Sequence, residues 1–347
     1  MNTTSPPGVA HVPLVVVERG DSVESVHCGS VAVVDADGCL VASAGDPRTV
    51  AFTRSSLKPL QALPFVLGGG LARFGFAARE LAVICASHSG EAKHQATVAA
   101  ILARIGASPA DLQCGSHAPL VYEACRLTPP PPPHPALAHN CSGKHAGMLA
   151  CCALHGWPLA TYLDPEHPLQ VAIRAAVARL TGTAEQNLVR GTDGCSAPNY
   201  ALPLAGLAQA YARLAKPDRA GGDAAALRAI AQAMSAYPDY VSGERRSDLA
   251  LMRAGRGRWV AKVGAEGVQA VGLSRNGDGL GIAIKVADGA ARALAPAAIG
   301  VLDALGLLDP EAGDELSAWA SPVLHNARRT PVGRIRPCVV LDRVGRG

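Results

Sequence analysis

Residues 30–43 read Ser-Val-Ala-Val-Val-Asp, a turn carrying Asp37-Gly38, then Cys-Leu-Val-Ala-Ser. Two apolar runs joined by Asp-Gly form a β-hairpin signal, because both residues tolerate the positive φ that a tight turn demands. The chain therefore starts an antiparallel sheet. Leu14–Val17 is a further short β-rich run, and strand character returns at Trp259–Val263, Val268–Leu273, Gly281–Val286 and Val339–Leu341. Between these ends the apolar spacing predicts helices over Ser55–Leu67, Glu91–Ile105, Gly143–Gly156, Glu166–Leu180, Asn199–Ala215 and Ala224–Ala236, with Ala291–Leu307 after them. Leu81–Cys85 reads as a short buried strand or a helix end. Strands at both ends around a helix-rich middle give an α/β chain, nearer α+β than doubly wound. No glycine-rich phosphate loop follows a strand.

Composition narrows the class. The 347 residues are 49% hydrophobic and 17% charged, which excludes disorder for the bulk of the chain. Apolar windows are interrupted before about 18 residues, too short for a membrane span. The N-terminus has no basic region before its apolar run, so no signal peptide is expected and a cytoplasmic place is. The net charge of +4 comes from scattered Arg, which argues against nucleic acid as a partner. Ten Cys in a chain of this kind are expected to be free thiols, metal ligands or core packing. Residues 129–133 are five consecutive prolines, a stiff surface connector and not a domain boundary, since motif-bearing segments lie on both sides. The expected organisation is a flexible tail over 1–13, one catalytic domain over 14–341 with a helical subdomain in its middle, and a tail over 342–347.

The basic residues carry a sharper clue. Only six of the 32 Lys and Arg are lysine: Lys58, Lys93, Lys144, Lys216, Lys262 and Lys285. A lysine kept in an arginine-rich chain is a candidate for work that arginine cannot do, because burial can neutralise Lys but not Arg. Codon bias is the competing explanation, and some of the six are expected to be ordinary surface lysines.

Five segments concentrate chemistry. Ser55 and Lys58 stand one helical turn apart, and a desolvated neutral lysine can take the proton of a serine nucleophile. Nineteen Ser and six Lys supply ~0.3 such pairs by chance, so the spacing alone favours a capping Ser and a solvated Lys. The turn Cys85–Glu91 places Ser87 and His88 at a helix entry, where N–H groups suit an oxyanion; an ordinary cap by Ser89 fits there too. His139–His145 packs six functional side chains around one Gly before a helix. Gly191–Pro198 is a tight turn with Asp193 and Cys195. Lys262 ends a strand, either as a lysine of low pKa or as an edge charge.

Taken in order, Glu18-Arg19-Gly20, Gly45-Asp46-Pro47, RSSLKPLQALP, CASHSGE, HNCSGKHAGML, GTDGCSAPNYALPL and KVGAEG resemble the Rhizobium etli-type, or asparaginase II, family of L-asparaginases, over about residues 14–340. The resemblance implies a fold like that of serine β-lactamases and glutaminases. It implies two Ser-Lys pairs, Ser55 with Lys58 and Ser87 with Lys262. It implies zinc held by Cys141, Cys195 and Lys144, and a substrate pocket drawing on Arg54, His88, Asn140, Gly143, His145 and Asp193. A homodimer acting on L-asparagine is expected. Related amidohydrolases, such as a glutaminase or a β-lactamase-like acyl transferase, would use the same machinery, and a zinc-stabilised scaffold without turnover is the non-enzymatic alternative. One departure stands out: family members carry a substrate-side Cys in the segment that here reads Ser242–Asp248, where this chain has none.

Overall fold

The Asp37-Gly38 turn closes the expected hairpin, with Asp35 Oδ1 accepting the N–H groups of Asp37 and Cys39 at 3.0 and 2.8 Å. A computed structural model describes residues 10–275 and 277–344. Its strands are β1 (Val12–Arg19), β2 (Ser22–Asp35), β3 (Leu40–Ala44), β4 (Val50–Phe52), β5 (Val189–Thr192), β6 (Pro198–Pro203), β7 (Trp259–Gly264), β8 (Val268–Arg275), β9 (Asp278–Val286), β10 (Val323–His325), β11 (Pro331–Pro337) and β12 (Asp342–Arg343). The main sheet runs β10-β11-β1-β2-β9-β8-β7, and β3 joins it between β2 and β12. All its pairings are antiparallel. Val31 pairs with Ala44 across the hairpin and with Ile284 on the other side, which ties the first strands to the last. A second small sheet has the order β4-β6-β5.

The helices are α1 (Lys58–Gln61), α2 (Leu63–Leu67), α3 (Gly70–Phe74), α4 (Ala78–Ile84), α5 (Ala92–Arg104), α6 (Leu120–Cys125), α7 (Ser142–His155), α8 (Pro168–Thr181), α9 (Leu204–Ala215), α10 (Ala224–Ala236), α11 (Pro238–Val241), α12 (Ser247–Ala254), α13 (Leu294–Ala304) and α14 (Pro310–Ala320). Helices α1–α12 are inserted between β4 and β7, so the fold is a mixed α/β one with a curled antiparallel sheet, as expected at that level. Helix α9 lies flush on β2, β8 and β9. A Cβ at Gly281 would stand 1.8 Å from Ala208 O, so only glycine permits that approach. Among the described residues, no helix is long and apolar enough to cross a membrane.

Several local expectations change. Ser55–Leu67 is not one helix: a short 3₁₀ turn over Arg54–Leu57 leads into α1 and then α2, with Pro59 and Pro64 each near a start, because an interior proline removes a donor and clashes with the preceding turn. Leu81–Cys85 belongs to the end of α4. Asn199–Pro203 is strand β6, paired on both edges, and the helix begins only at Leu204. Val339–Leu341 is not a strand; β11 ends at Pro337. Regular pairing begins at Val12 and reaches Arg343, so it runs slightly beyond both expected domain limits. Residues 1–9 and 345–347 lie outside the described residues.

Candidate active site

Four segments meet where the helical insert joins the sheet. The first is the 3₁₀ turn at Arg54. Arg54 has φ +50°, a left-handed backbone that L-residues seldom adopt. Asn199 of β6 holds it there: its Oδ1 accepts Arg54 N–H at 3.0 Å and its Nδ2 donates to Arg54 O at 3.1 Å. The clamp aims the Arg54 guanidinium at Asp193, with Nε donating to Oδ1 at 2.8 Å. Burial opposes the Asp193 charge, but Lys144, the Arg54 bond and the Gly194 N–H hold its carboxyl below the usual range. Ser55 follows, half-buried.

Lys58 starts α1 and runs inward, 1% exposed. Its Nζ donates to Ala86 O at 2.6 Å, reaches Asn140 O at 3.4 Å, and lies 2.8 Å from Ser87 Oγ. The two carbonyls and the Ser87 hydroxyl together surround the amine. Lys58 is thus bonded to Ser87, the serine the resemblance assigns to Lys262. Lys262, on β7, is fully buried; its Nζ donates to Val263 O at 2.9 Å and stands 3.6 Å from Asp248 Oδ2. Burial lowers the Lys262 pKa to about 7, aided by the charges of Lys58 and Arg246 and opposed by Asp248. Asp248 is itself fixed, accepting Val263 N–H at 2.8 Å and Gln269 Nε2 at 3.1 Å. Cys85 lies near both lysines, but burial pushes its thiol up to about 12, so it is an inert neighbour.

In the turn Cys85–Glu91, three N–H groups are engaged: Ser87 N donates to Val241 O, Gly90 N to His88 Nδ1 and Glu91 N to His94 Nδ1. Ser89 does not cap α5; Glu91 does, while Ser89 Oγ donates to Ser242 O at 2.9 Å. His88 is fully buried, with Nε2 3.0 Å from Ser142 Oγ and Nδ1 accepting from Gly90. Burial keeps it neutral, well below its ordinary pKa. It pins the turn to α7, with neither ring nitrogen left for a substrate. Gly143 has a packing role, since a Cβ there would stand 2.2 Å from Val83 O and push α7 off α4.

The fourth group is Cys141, Lys144 and Cys195, all buried. Lys144 Nζ donates to Cys195 Sγ at 2.8 Å. The Cys141 thiol is held well below its ordinary value, first by its hydrogen bond with Cys195 and then, against burial, by Lys58 and Lys144. His145 Nδ1 meets Tyr162 Oη at 2.6 Å, and its Nε2, beside Cys195, has no hydrogen-bond partner. Burial and the Lys144 charge lower His145 to about 4. Two thiol sulfurs and an amine nitrogen are a donor set that suits zinc. Their convergence, with an orphaned imidazole nitrogen alongside, fits the expected metal. Among the described residues, no cluster of three or more His, Cys, Asp and Glu is placed to hold a metal; the expected set has two such residues and depends on Lys144 for its third donor.

Four residues at the site carried no sequence signal of their own. His117 Nε2 accepts Asn140 N–H at 3.2 Å. Tyr162 orients His145, Asn199 clamps Arg54, and Asp248 faces Lys262. His117 and Tyr162 are lone polar residues in segments without a motif, while Asn199 and Asp248 lie within the GTDGCSAPNYALPL and Ser242–Asp248 segments with no spacing that marks them out. A cavity of about 330 Å³ opens beside Arg54, lined by Phe52, Asp193, Asn199, Glu266 and Lys285 among others.

A family model described as L-asparaginase II matches residues 15–337. Eleven chains of solved structures match as well. One, described as "Crystal Structure Analysis of Mglu in its glutamate form", is 16% identical with a TM-score of 0.40, over 81% of this chain and 61% of that one. This chain thus spans less than two thirds of that protein's length. Among curated proteins, none matches.

Proposed function

The chain belongs to the L-asparaginase II family of amidohydrolases, and we propose that it hydrolyses L-asparagine to L-aspartate and ammonia through a serine acyl-enzyme. The observation that supports this most directly is the buried amine of Lys58, 2.8 Å from the Ser87 hydroxyl and one helical turn from Ser55. Ser55 Oγ attacks the side-chain amide carbon, and the carbonyl π pair moves to oxygen. Lys58 takes the hydroxyl proton. Ser87, bonded to Lys58, passes a proton to the amide nitrogen, the C–N bond breaks, and ammonia leaves. Water then attacks the ester, and the same groups return Ser55 to its hydroxyl form. Lys262, neutral above about pH 7, is the second proton-accepting amine. The fold this reading implies is that of serine β-lactamases and glutaminases.

Cys141, Cys195 and Lys144 would hold zinc. When bound, the metal would supply a fixed positive charge that orders the start of α7 and orients substrate. Arg54 and Asp193, at the cavity mouth, are the groups for the zwitterionic end of the amino acid. A homodimer is proposed as the working form.

The 2.8 Å bond favours a second reading, in which Ser87 is the nucleophile and Lys58 its base. Ammonia release from L-asparagine and L-glutamine by the wild type, Ser55→Ala and Ser87→Ala tests both. Trapping the acyl-enzyme and mapping it by mass spectrometry assigns the serine. Asparagine turnover is expected in the wild type, with losses of ~10³-fold or more in both variants. Most of the activity surviving Ser55→Ala would overturn the Ser55 assignment. No ammonia from either amide by folded wild type would overturn the activity and bring forward the scaffold reading.

A further inference from the structure

A cavity of about 540 Å³ lies beside α6, α12 and α14 and shares no lining residue with the cavity at Arg54. Its charged lining is Arg126, Arg245, Arg246, Arg253 and Glu244, with Trp319 as an aromatic wall. Four guanidiniums therefore share the cavity with one carboxylate. Only Arg253 is ion-paired, to Glu244 at 3.4 Å. Among the described residues, Arg126, Arg245 and Arg246 have no carboxylate within pairing distance. Other arginines of the chain are closely paired, as in Arg19 with Glu24 and Arg179 with Asp223, each 2.7 Å apart.

Two of the lining residues also carry backbone strain. Arg126 has φ +56° and Arg245 φ +57°, a left-handed backbone that L-residues seldom adopt. Arg126 occupies the C-terminal cap of α6, a position where glycine relieves such strain. Arg246 is half-buried, and burial acts against its charge; Glu123 and Asp248 favour that charge without forming an ion pair. Like charges crowded in a concave site repel one another, and a bound anion relieves that repulsion.

We infer that this cavity binds a compact polyanion, a small molecule carrying several phosphate or carboxylate oxygens that guanidinium groups grip in bidentate fashion. The inference does not rest on the amide chemistry proposed above. A peptide would need an extended groove, and the arginines converge in one pocket instead.

The test uses the full chain with pyrophosphate and citrate as probes, titrated by calorimetry and by Trp319 fluorescence, with potassium chloride at matched ionic strength as the reference. Saturable one-to-one binding is expected. It should weaken at least about tenfold in the double variant Arg126→Gln, Arg245→Gln. Both residues are exposed, so the variant keeps the wild-type circular dichroism, and without ligand its Tm is unchanged or higher. Arg228→Gln, which alters a different cavity, should bind as wild type does. Binding of pyrophosphate alone points to a phosphorylated ligand, and binding of citrate alone to a polycarboxylate. No saturable binding beyond the salt reference, or equal binding by wild type and double variant, overturns the inference.

Discussion

Lys262 and Lys144 are both buried, 0% and 2% exposed, and their surroundings drive them in opposite directions. For Lys262, burial wins. Its carboxylate neighbour Asp248 stands off at 3.6 Å and is already engaged by Val263 and Gln269, while Lys58 and Arg246 add repulsion. The result is an amine with a pKa of about 7. Burial opposes the Lys144 charge as well, but Cys195 in contact at 2.8 Å and Cys141 beside it raise its pKa above the ordinary value. Burial alone therefore does not decide what a lysine becomes. The distance and prior commitments of its nearest anion decide it. One centre stores a base; the other gathers soft donors around a nitrogen.

The largest effect should come from removing the base. Lys58→Met leaves Ser87 without its partner and Ser55 without a proton acceptor, and kcat is expected to fall ~10³-fold with KM little changed. Lys262→Met should cost less, by about tenfold to a hundredfold. Steady-state ammonia release, with circular dichroism to confirm folding, checks both. Equal losses at the two positions would break the distinction between a direct base and a supporting amine.

The next effect is in the pH profile. The neutral fraction of Lys262 rises from about one tenth at pH 6 to about nine tenths at pH 8 for a pKa of about 7. Activity should thus climb with pH through that window and level off above it. Asp248 raises the Lys262 pKa, so Asp248→Asn should move the rising limb to lower pH. A limb that stays in place, or moves up, removes Asp248 as the group that tunes Lys262. Linkage gives the stability term the same sign. The folded pKa lies below the ordinary 10.5, so between about 7 and 10.5 the unfolded chain holds a proton that the folded chain has released, and stability rises with pH there.

How much of this was legible depends on the kind of signal. The scarcity of lysine was informative: Lys58, Lys144 and Lys262 are the buried three, and Lys93, Lys216 and Lys285 are half-buried. The Asp37-Gly38 hairpin was legible because its turn chemistry is local. Strand β6 was not, because its periodicity runs smoothly into α9 and only pairing with the distant β4 and β5 makes it a strand. The Lys58–Ser87 bond was hidden for the same reason. Spacing along the chain sets Ser55 one turn before Lys58, but what Lys58 touches is set by how the 85–91 turn folds back upon α1. His88 and Gly143 read as substrate contacts, yet the His88 ring is engaged by Ser142 and Gly90, and Gly143 lies against Val83, because motif density does not separate a residue that shapes a site from one that faces into it.

The smallest effect is also the most discriminating for the second centre. Lys144→Arg keeps a cation beside Cys141 and Cys195 but removes the lone pair that a metal needs. If the cluster is an ion pair and nothing more, the variant changes little. If it holds zinc, as proposed, wild-type protein should retain about one metal per chain after dialysis, and Lys144→Arg should bind zinc at least about tenfold more weakly. Elemental analysis and zinc titration read this directly. Activity should fall only a fewfold, because the proposed nucleophile is a serine and the proposed base is Lys58. The same exchange at Lys262 should abolish the rising pH limb, since arginine stays charged across the whole range. Equal zinc content in wild type and Lys144→Arg would leave the cluster an ion pair, and the two buried lysines would then differ only in charge state and not in the chemistry they serve.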